Sequence, residues 1–225
     1  MSLPEDVLAD SDLLRVAMFP LPNVVLLPGG LLPLHIFEPR YRDMTRDALA
    51  GTRLLAMARL RPGYGPAYFD RPAVHDVVGV GRIIDSFAWP DGRYDLLVRG
   101  LIRASIAREH TVSCAYRVVQ AICLDDRSDE PPAVLRAAKN QLVTLCDRLA
   151  STIAQGGSEL RALVHSASSP GECADAVSAV VVTDAEERQL LLEDRDPLSR
   201  LAWIIERVSR ILEKVEPGQG GDLPN

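Results

Sequence analysis

The sequence predicts an α+β protein, a small bent β-barrel followed by a helical bundle, on three observations. Composition changes abruptly at "LDDRSDEPP", residues 124 to 132. Ten of the eleven aromatic residues precede it, and after Pro132 only Trp203 remains. The preceding part consists of short apolar runs broken by Pro, which lacks a ladder donor, and Gly, which permits positive φ. The part after it reads as amphipathic stretches with helix-start signals. The expected organisation is a flexible N-terminus over 1–12, a barrel subdomain over 13–126, a helical subdomain over 127–215 and a disordered tail over 216–225.

In chain order, "LRVAMFPL" (14–21), "NVVLLP" (23–28) and "LLPLHIF" (31–37) are expected strands separated by Pro and Gly. "EPRYRDMTRDALAG" then places Tyr41, Met44, Ala48 and Leu49 at helical spacing, with Gly51 suited to end the helix. "RLLAMARL" (53–60) is a further strand, followed by the loop "RPGYGPAYFDRPAVHD". Asp91-Gly92 lies between the β-rich runs 77–89 and 94–107, as a hairpin turn does. "AYRVVQAICL" (115–124) supplies the last strand. Six to eight such strands with mixed connections suit a bent barrel.

In the second part, Asp129 is positioned to cap a helix with Pro131 and Pro132 in its first turn. Its stripe is Leu135, Ala138, Leu142, Leu145 and Leu149, and Gly156-Gly157 end it. Ser169 to Glu172 and Thr183 to Glu186 each match the capping box, in which a hydroxyl and a carboxylate satisfy orphan backbone donors. Asp196-Pro197 opens a last helix with the stripe Leu201, Ile204, Val208, Ile211 and Val215.

A net charge of -6 and a pI near 5.3 argue against nucleic acid as a partner, since phosphate binding needs clustered cations. Only Lys139 and Lys214 are lysines. There is no Gly-Lys pair for a phosphate loop, no G-x-S-x-G elbow and no strand context for a Ser-Lys dyad. Gly79 and Gly81 begin a G-x-G-x-x-G that fails at Ile84. The expectation is therefore no catalytic residue and no cofactor. His35, His75, His110 and His165 are scattered, and Cys114, Cys123, Cys146 and Cys173 form no CxxC pair, so no metal is expected either. The acidic start is not a secretory signal, and no apolar run is long enough to span a membrane. Together with cysteines read as reduced thiols, this places the protein in the cytoplasm.

The stretch "LLPLHIFEPRY" (31–41) ends an apolar run in His35, Glu38 and Arg40. A histidine beside a carboxylate can act as a general base. The competing reading pairs Glu38 with Arg40 at a strand-to-helix corner, Glu38 lying near the positive end of the helix. The structural role is preferred, because no nucleophile lies nearby in the sequence. His75-Asp76 is the other pair considered for small-molecule chemistry.

"MFPLPNVVLLPGGLLPLHIFEPRYRDM" (18–44) closely resembles the opening of the Lon protease N-terminal domain, its substrate-binding region. The likeness continues through "VGVGRIID" (78–85), "PDGRYDLLVRGLIRASI" (90–106), "YRVVQAICL" (116–124) and "TDAEERQLLLEDRDPLSRLAWIIERVSRIL" (183–212). The resemblance implies a PUA-like bent β-barrel followed by a C-terminal helical bundle. It implies a role in engaging exposed or unfolded polypeptide, here by a stand-alone member without ATPase or peptidase modules and so without enzymatic activity, serving as an adaptor in protein quality control. Peptide could add to unpaired strand edges. The residues expected to grip it are Leu34, Phe37, Tyr41, Tyr64, Tyr68 and Phe69, with partners being polypeptide substrates or a partner protein. The alternatives are a dimerisation module built on the long helices, or a small-molecule enzyme using His35 and Glu38; the oligomeric state is left open.

Overall fold

The computed structural model describes residues 8–65 and 71–215. The expected tail over 216–225, and most of the expected flexible N-terminus, lie outside the described residues. A short 3-10 turn, Asp10–Leu13, leads into β1 (Val16–Leu21), β2 (Leu31–Ile36), α1 (Pro39–Ala50), β3 (Leu54–Arg59), β4 (Val77–Ala88), β5 (Tyr94–Glu109) and β6 (Arg117–Cys123). Five helices follow: α2 (Pro132–Thr152), α3 (Gly157–Ser166), α4 (Pro170–Val181), α5 (Ala185–Glu193) and α6 (Pro197–Val215).

The fold is α+β, as the sequence predicts. The strands form one mixed six-stranded sheet in the order β2-β5-β4-β3-β1-β6, with β1 and β3 parallel. It bends so far that β6 also pairs with the far end of β5, Ala104 to Glu109. Register shifts at Val80/Gly81 and Ile83/Asp85 sharpen the bend of β4, as an extra residue in one strand does. One face buries Val16, Met18, Leu54, Ala56, Val78, Val80, Ala104 and Val119. On the other face α1 covers Phe19, Ile36, Leu55, Met57, Ile83, Leu96 and Val98 with Tyr41 and Met44.

Residues 23–28 do not form the expected strand. They cross the sheet as irregular chain, with Leu26 in the α1-side core and Val25 and Leu27 in the helical core. Their apolar content serves burial on two sides rather than pairing. Two glycines admit this crossing: a Cβ on Gly79 would stand 1.9 Å from the Leu26 carbonyl oxygen, and one on Gly100 2.1 Å from that of Leu27.

The helical part also departs from expectation in detail. Helix α2 starts at Pro132 behind Pro131 with no side-chain cap, so Asp129 does not serve. Gly156, at φ +79, ends only the turn after α2, and Gly157 then opens α3, an element the pair of glycines concealed. Ser169 Oγ accepts from Glu172 N at 3.1 Å, and Glu172 in turn accepts from Ser168 N at 2.8 Å. At α5 the cap is Asp184, not Thr183: its carboxylate accepts from the backbone of Glu186 and Glu187. In α6 the buried stripe runs Leu201, Ile204, Val208 and Leu212. Ile211 packs only at the edge of that core and Val215 is exposed, because a 3.5-residue pattern drifts from the 3.6-residue turn.

Sheet and helices are clamped by a buried ion network that no local pattern announces. Arg103 of β5 donates to both carboxylate oxygens of Asp175 in α4, at 2.7 and 2.9 Å, and to Asp126 at 2.9 Å. Arg200 of α6, fully buried, meets Asp126 at 2.9 Å and Asp175 at 3.1 Å. Two cations face two anions, the balance a buried cluster needs.

Candidate functional site

The corner after β2 sorts the residues of the "LLPLHIFEPRY" stretch into different roles. Pro39 starts α1, with Glu38 as its extended N-cap residue. Arg40 Nε donates to Glu38 at 3.1 Å, and the guanidinium lies 4.5 Å over the Tyr41 ring. Tyr41 itself packs on Phe19, ring centroids 4.4 Å apart, and is only 4% exposed. It belongs to the core and is removed from the set of side chains a ligand can reach. Leu34 likewise turns toward the α1 side, half-buried. Phe37 is 61% exposed.

His35 is not paired with Glu38. The antiparallel register sets it opposite Asp95 of β5, and its Nδ1 lies 2.6 Å from Asp95 Oδ1. Arg93 approaches the other ring nitrogen at 3.4 Å, so Nδ1 carries the proton and donates to Asp95 while Nε2 accepts from Arg93. Asp95 also accepts from the Trp89 indole at 2.8 Å. The hydrogen bonds from His35 and then Trp89 hold the Asp95 carboxyl below the usual carboxylate range. Among the described residues, no Ser or Cys hydroxyl or thiol is bonded to this group. Its effect is to fix two ring side chains in place.

Those rings belong to a larger surface. The β2-β5-β4 registers put three cross-strand rows on the face opposite α1: Leu31–Arg99–Arg82, Pro33–Leu97–Asp85 and His35–Asp95–Phe87. Leu31 is 60% exposed, Phe87 57% and Trp89 40%. Phe87 and Trp89 meet edge to face at 5.2 Å, Phe37 stacks near His35 at 6.3 Å, and Arg93 lies 5.8 Å over the Trp89 ring. The outcome is an apolar strip, Leu31, Phe37, Phe87 and Trp89, propped by a polar lattice on the end strand β2 and the tip of the β4-β5 hairpin. Exposed aromatics grouped this way make the strip a candidate interaction surface.

Of the strip, sequence reasoning named Phe37 and missed Leu31, Phe87 and Trp89. The signal was present: Phe87 and Trp89 alternate at the end of a strand beside a hairpin turn, on the face whose next row is charged. Tyr64 sits half-buried in its loop, and Tyr68 and Phe69 lie outside the described residues. His75 and Asp76 are drawn apart, His75 to Glu193 at 3.1 Å and Asp76 to Arg61 at 3.0 Å. Among the described residues no group of three His, Cys, Asp or Glu could hold a metal, and no helix is long and apolar enough to cross a membrane. A cleft of about 630 Å³ between α1 and the β5–β6 loop is lined by Arg15, Asp47, Thr52, Ser113, Cys114 and Tyr116. Its Tyr116 hydroxyl is already bonded to Asp47 at 2.9 Å.

Comparison with known proteins places this geometry. A family model described as the ATP-dependent protease La (LON) substrate-binding domain matches residues 15–210. A Lon protease of Trichlorobacter lovleyi is 28% identical over 199 residues, covering 86% of this chain and 23% of its own length. Lon protease 2 of Myxococcus xanthus is 25% identical over 196 residues, again 86% and 23%. The chain thus spans about a quarter of these relatives. The N-terminal domain of a Mycobacterium avium complex Lon protease superposes with a TM-score of 0.62 at 23% identity, covering 87% of this chain and 98% of that one. A Lon N-terminal domain protein of Xanthomonas campestris gives 0.61 at 23% identity, covering 85% and 97%.

Proposed function

Because this chain belongs to the family of substrate-binding domains of the ATP-dependent protease La (Lon), we propose that it is a non-catalytic recognition module for exposed polypeptide segments. The observation that carries this reading is the apolar strip of Leu31, Phe37, Phe87 and Trp89, with Phe37 61% and Phe87 57% exposed. A non-polar peptide side chain settling there removes apolar area from water at about 25 cal/mol per Å², which favours unfolded over folded partners because an unfolded chain exposes far more such side chains. The polar lattice beneath supports the same role: Asp95 holds Trp89 and His35 in fixed orientations, so little rotamer freedom is lost on binding. His35 serves here as a support for the strip, and Glu38 and Arg40 as the fastening of the corner that displays Phe37. Service as an adaptor in protein quality control, in the cytoplasm, follows from the same reading.

The test is capture of a fluorescently labelled, chemically unfolded model protein. The wild-type chain is expected to bind it, and the Phe37→Ser/Phe87→Ser double variant to lose at least about tenfold in affinity with little change in Tm, since both side chains already face solvent. A wild-type chain that captures nothing, or a double variant that captures as well as the parent, overturns the reading.

A further inference from the structure

Resting on that reading, we infer that the Arg93 side chain is a lid over Trp89, latched by neutral His35 and released when His35 takes up a second proton, so that the strip grips apolar segments more tightly in mildly acidic solution. The backbone of the lid is fixed, since Trp89 N donates to Arg93 O at 2.8 Å across the hairpin. Its guanidinium has three partners: Asp91, which accepts from Arg93 Nε at 2.7 Å, the Trp89 ring at 5.8 Å, and His35 Nε2 at 3.4 Å. A cation held over an indole in this way covers ring surface that a peptide side chain would otherwise use. With 44% of the Arg93 side chain exposed, the guanidinium has room to swing clear.

Of these partners, only a histidine can change its charge near neutral pH. In the neutral ring, Nδ1–H donates to Asp95 at 2.6 Å and the Nε2 lone pair accepts from Arg93. A second proton fills that lone pair, so a donor faces a donor and two cations stand against each other. Asp95, on the opposite side of the ring, keeps the imidazolium in place, and Arg93 is left to Asp91 alone. The carboxylates around the latch stay ionised while this happens. Hydrogen bonds from His35 and Trp89 hold Asp95 below the usual range, and the Arg93 backbone N–H, the Arg93 side chain and Arg42 of α1 do the same for Asp91. Glu38 and Arg40, in the corner that follows His35, pair with each other.

A labelled apolar peptide with blocked ends and no titratable side chain, followed by fluorescence anisotropy at fixed ionic strength, isolates the chain's own pH response. The wild-type chain is expected to bind it about threefold or more tighter at about pH 5.5 than at about pH 8, as a competent state held back by its own lid becomes populated. In His35→Gln the pH dependence should vanish, which separates His35 from His75, His110 and His165. Arg93→Gln, which removes the lid, should bind in the alkaline buffer about as tightly as the wild-type chain does in the acidic one. A measurement without ligand follows the latch itself: the Arg93 Nε–H resonance, identified by its loss in Arg93→Gln, should move with the titration of the His35 ring. Equal wild-type affinity in both buffers, a pH dependence that survives in His35→Gln, or an Arg93 resonance that stays still overturns this inference while leaving the apolar strip intact. Capture in neither buffer overturns the underlying reading as well.

Discussion

Asp95 accepts from His35 and Trp89 at once, and its depressed pKa gives that arrangement a pH signature. A carboxylate with a lowered folded-state pKa contributes stability that is present above its unfolded value, about 4, and is lost as pH falls through the folded value. The Trp89 fluorescence change governed by this carboxylate should therefore fall in acidic solution, below about pH 4. In Asp95→Asn, that acid transition should disappear; a transition that persists would place its origin elsewhere. The cysteines offer a second residue-level check. Burial pushes the thiol of Cys146 up to about 12 and that of Cys173 to about 11, while Cys114 and Cys123 are only half-buried. Because the thiolate is the reactive form, native chain should take up alkylating reagent at no more than two sites, and all four only after unfolding. Labelling of Cys146 in the native state would contradict the packing described.

The elements were legible where a local pattern carried them. The β4-β5 hairpin announces itself through Asp91-Gly92 between β-rich runs, and Gly92 does take a positive φ of 84°. Helix α1 is evident from Tyr41, Met44 and Ala48, all of which are buried. Segments serving two partners were not legible. "NVVLLP" has strand composition, yet its alternate residues are claimed by different cores, and nothing local records that. The decisive mark lies far away, in Gly79 and Gly100, whose missing side chains admit the crossing. Replacing either by Ala should destabilise the fold by about 1–3 kcal/mol or more, since the obstructing atoms are backbone rather than mobile side chain. Denaturant melts would show it, and a neutral Gly100→Ala would mean that the crossing yields easily. The binding strip was half visible for a related reason: exposure depends on which rows α1 leaves uncovered, and that follows from tertiary placement.

Across the whole molecule, the network of Arg103, Asp126, Asp175 and Arg200 ties strands and helices that are distant in sequence. Removing one member strands its partners in a dry site, which typically costs about 3–5 kcal/mol. Arg200→Met should lower Tm strongly while leaving peptide capture at 20 °C unchanged in the fraction that remains folded, because the network lies away from the strip. Loss of binding out of proportion to loss of folded chain would imply that sheet and helices communicate. No comparable device appears in the family motif "LLPLHIFEPRY", which builds a corner. The residues of the buried network and those of the exposed apolar strip are different sets.

On the proposed function, Pro33 lends the apolar strip a temporal character. Strand β2 is the end of the sheet order, and Gly100 N donates to Gly30 O at 2.8 Å, so by alternation Leu31, Pro33 and His35 are the residues whose backbone faces outward. At the middle of that free edge the chain offers no N–H at all. A polypeptide lying over the strip cannot zip onto β2 as a continuous seventh strand. Held by side chains alone, it arrives and departs without a ladder to dismantle, and neighbouring copies are denied the same template for stacking. Under the proposed function such a grip suits brief tenure, taking up a segment and letting it go.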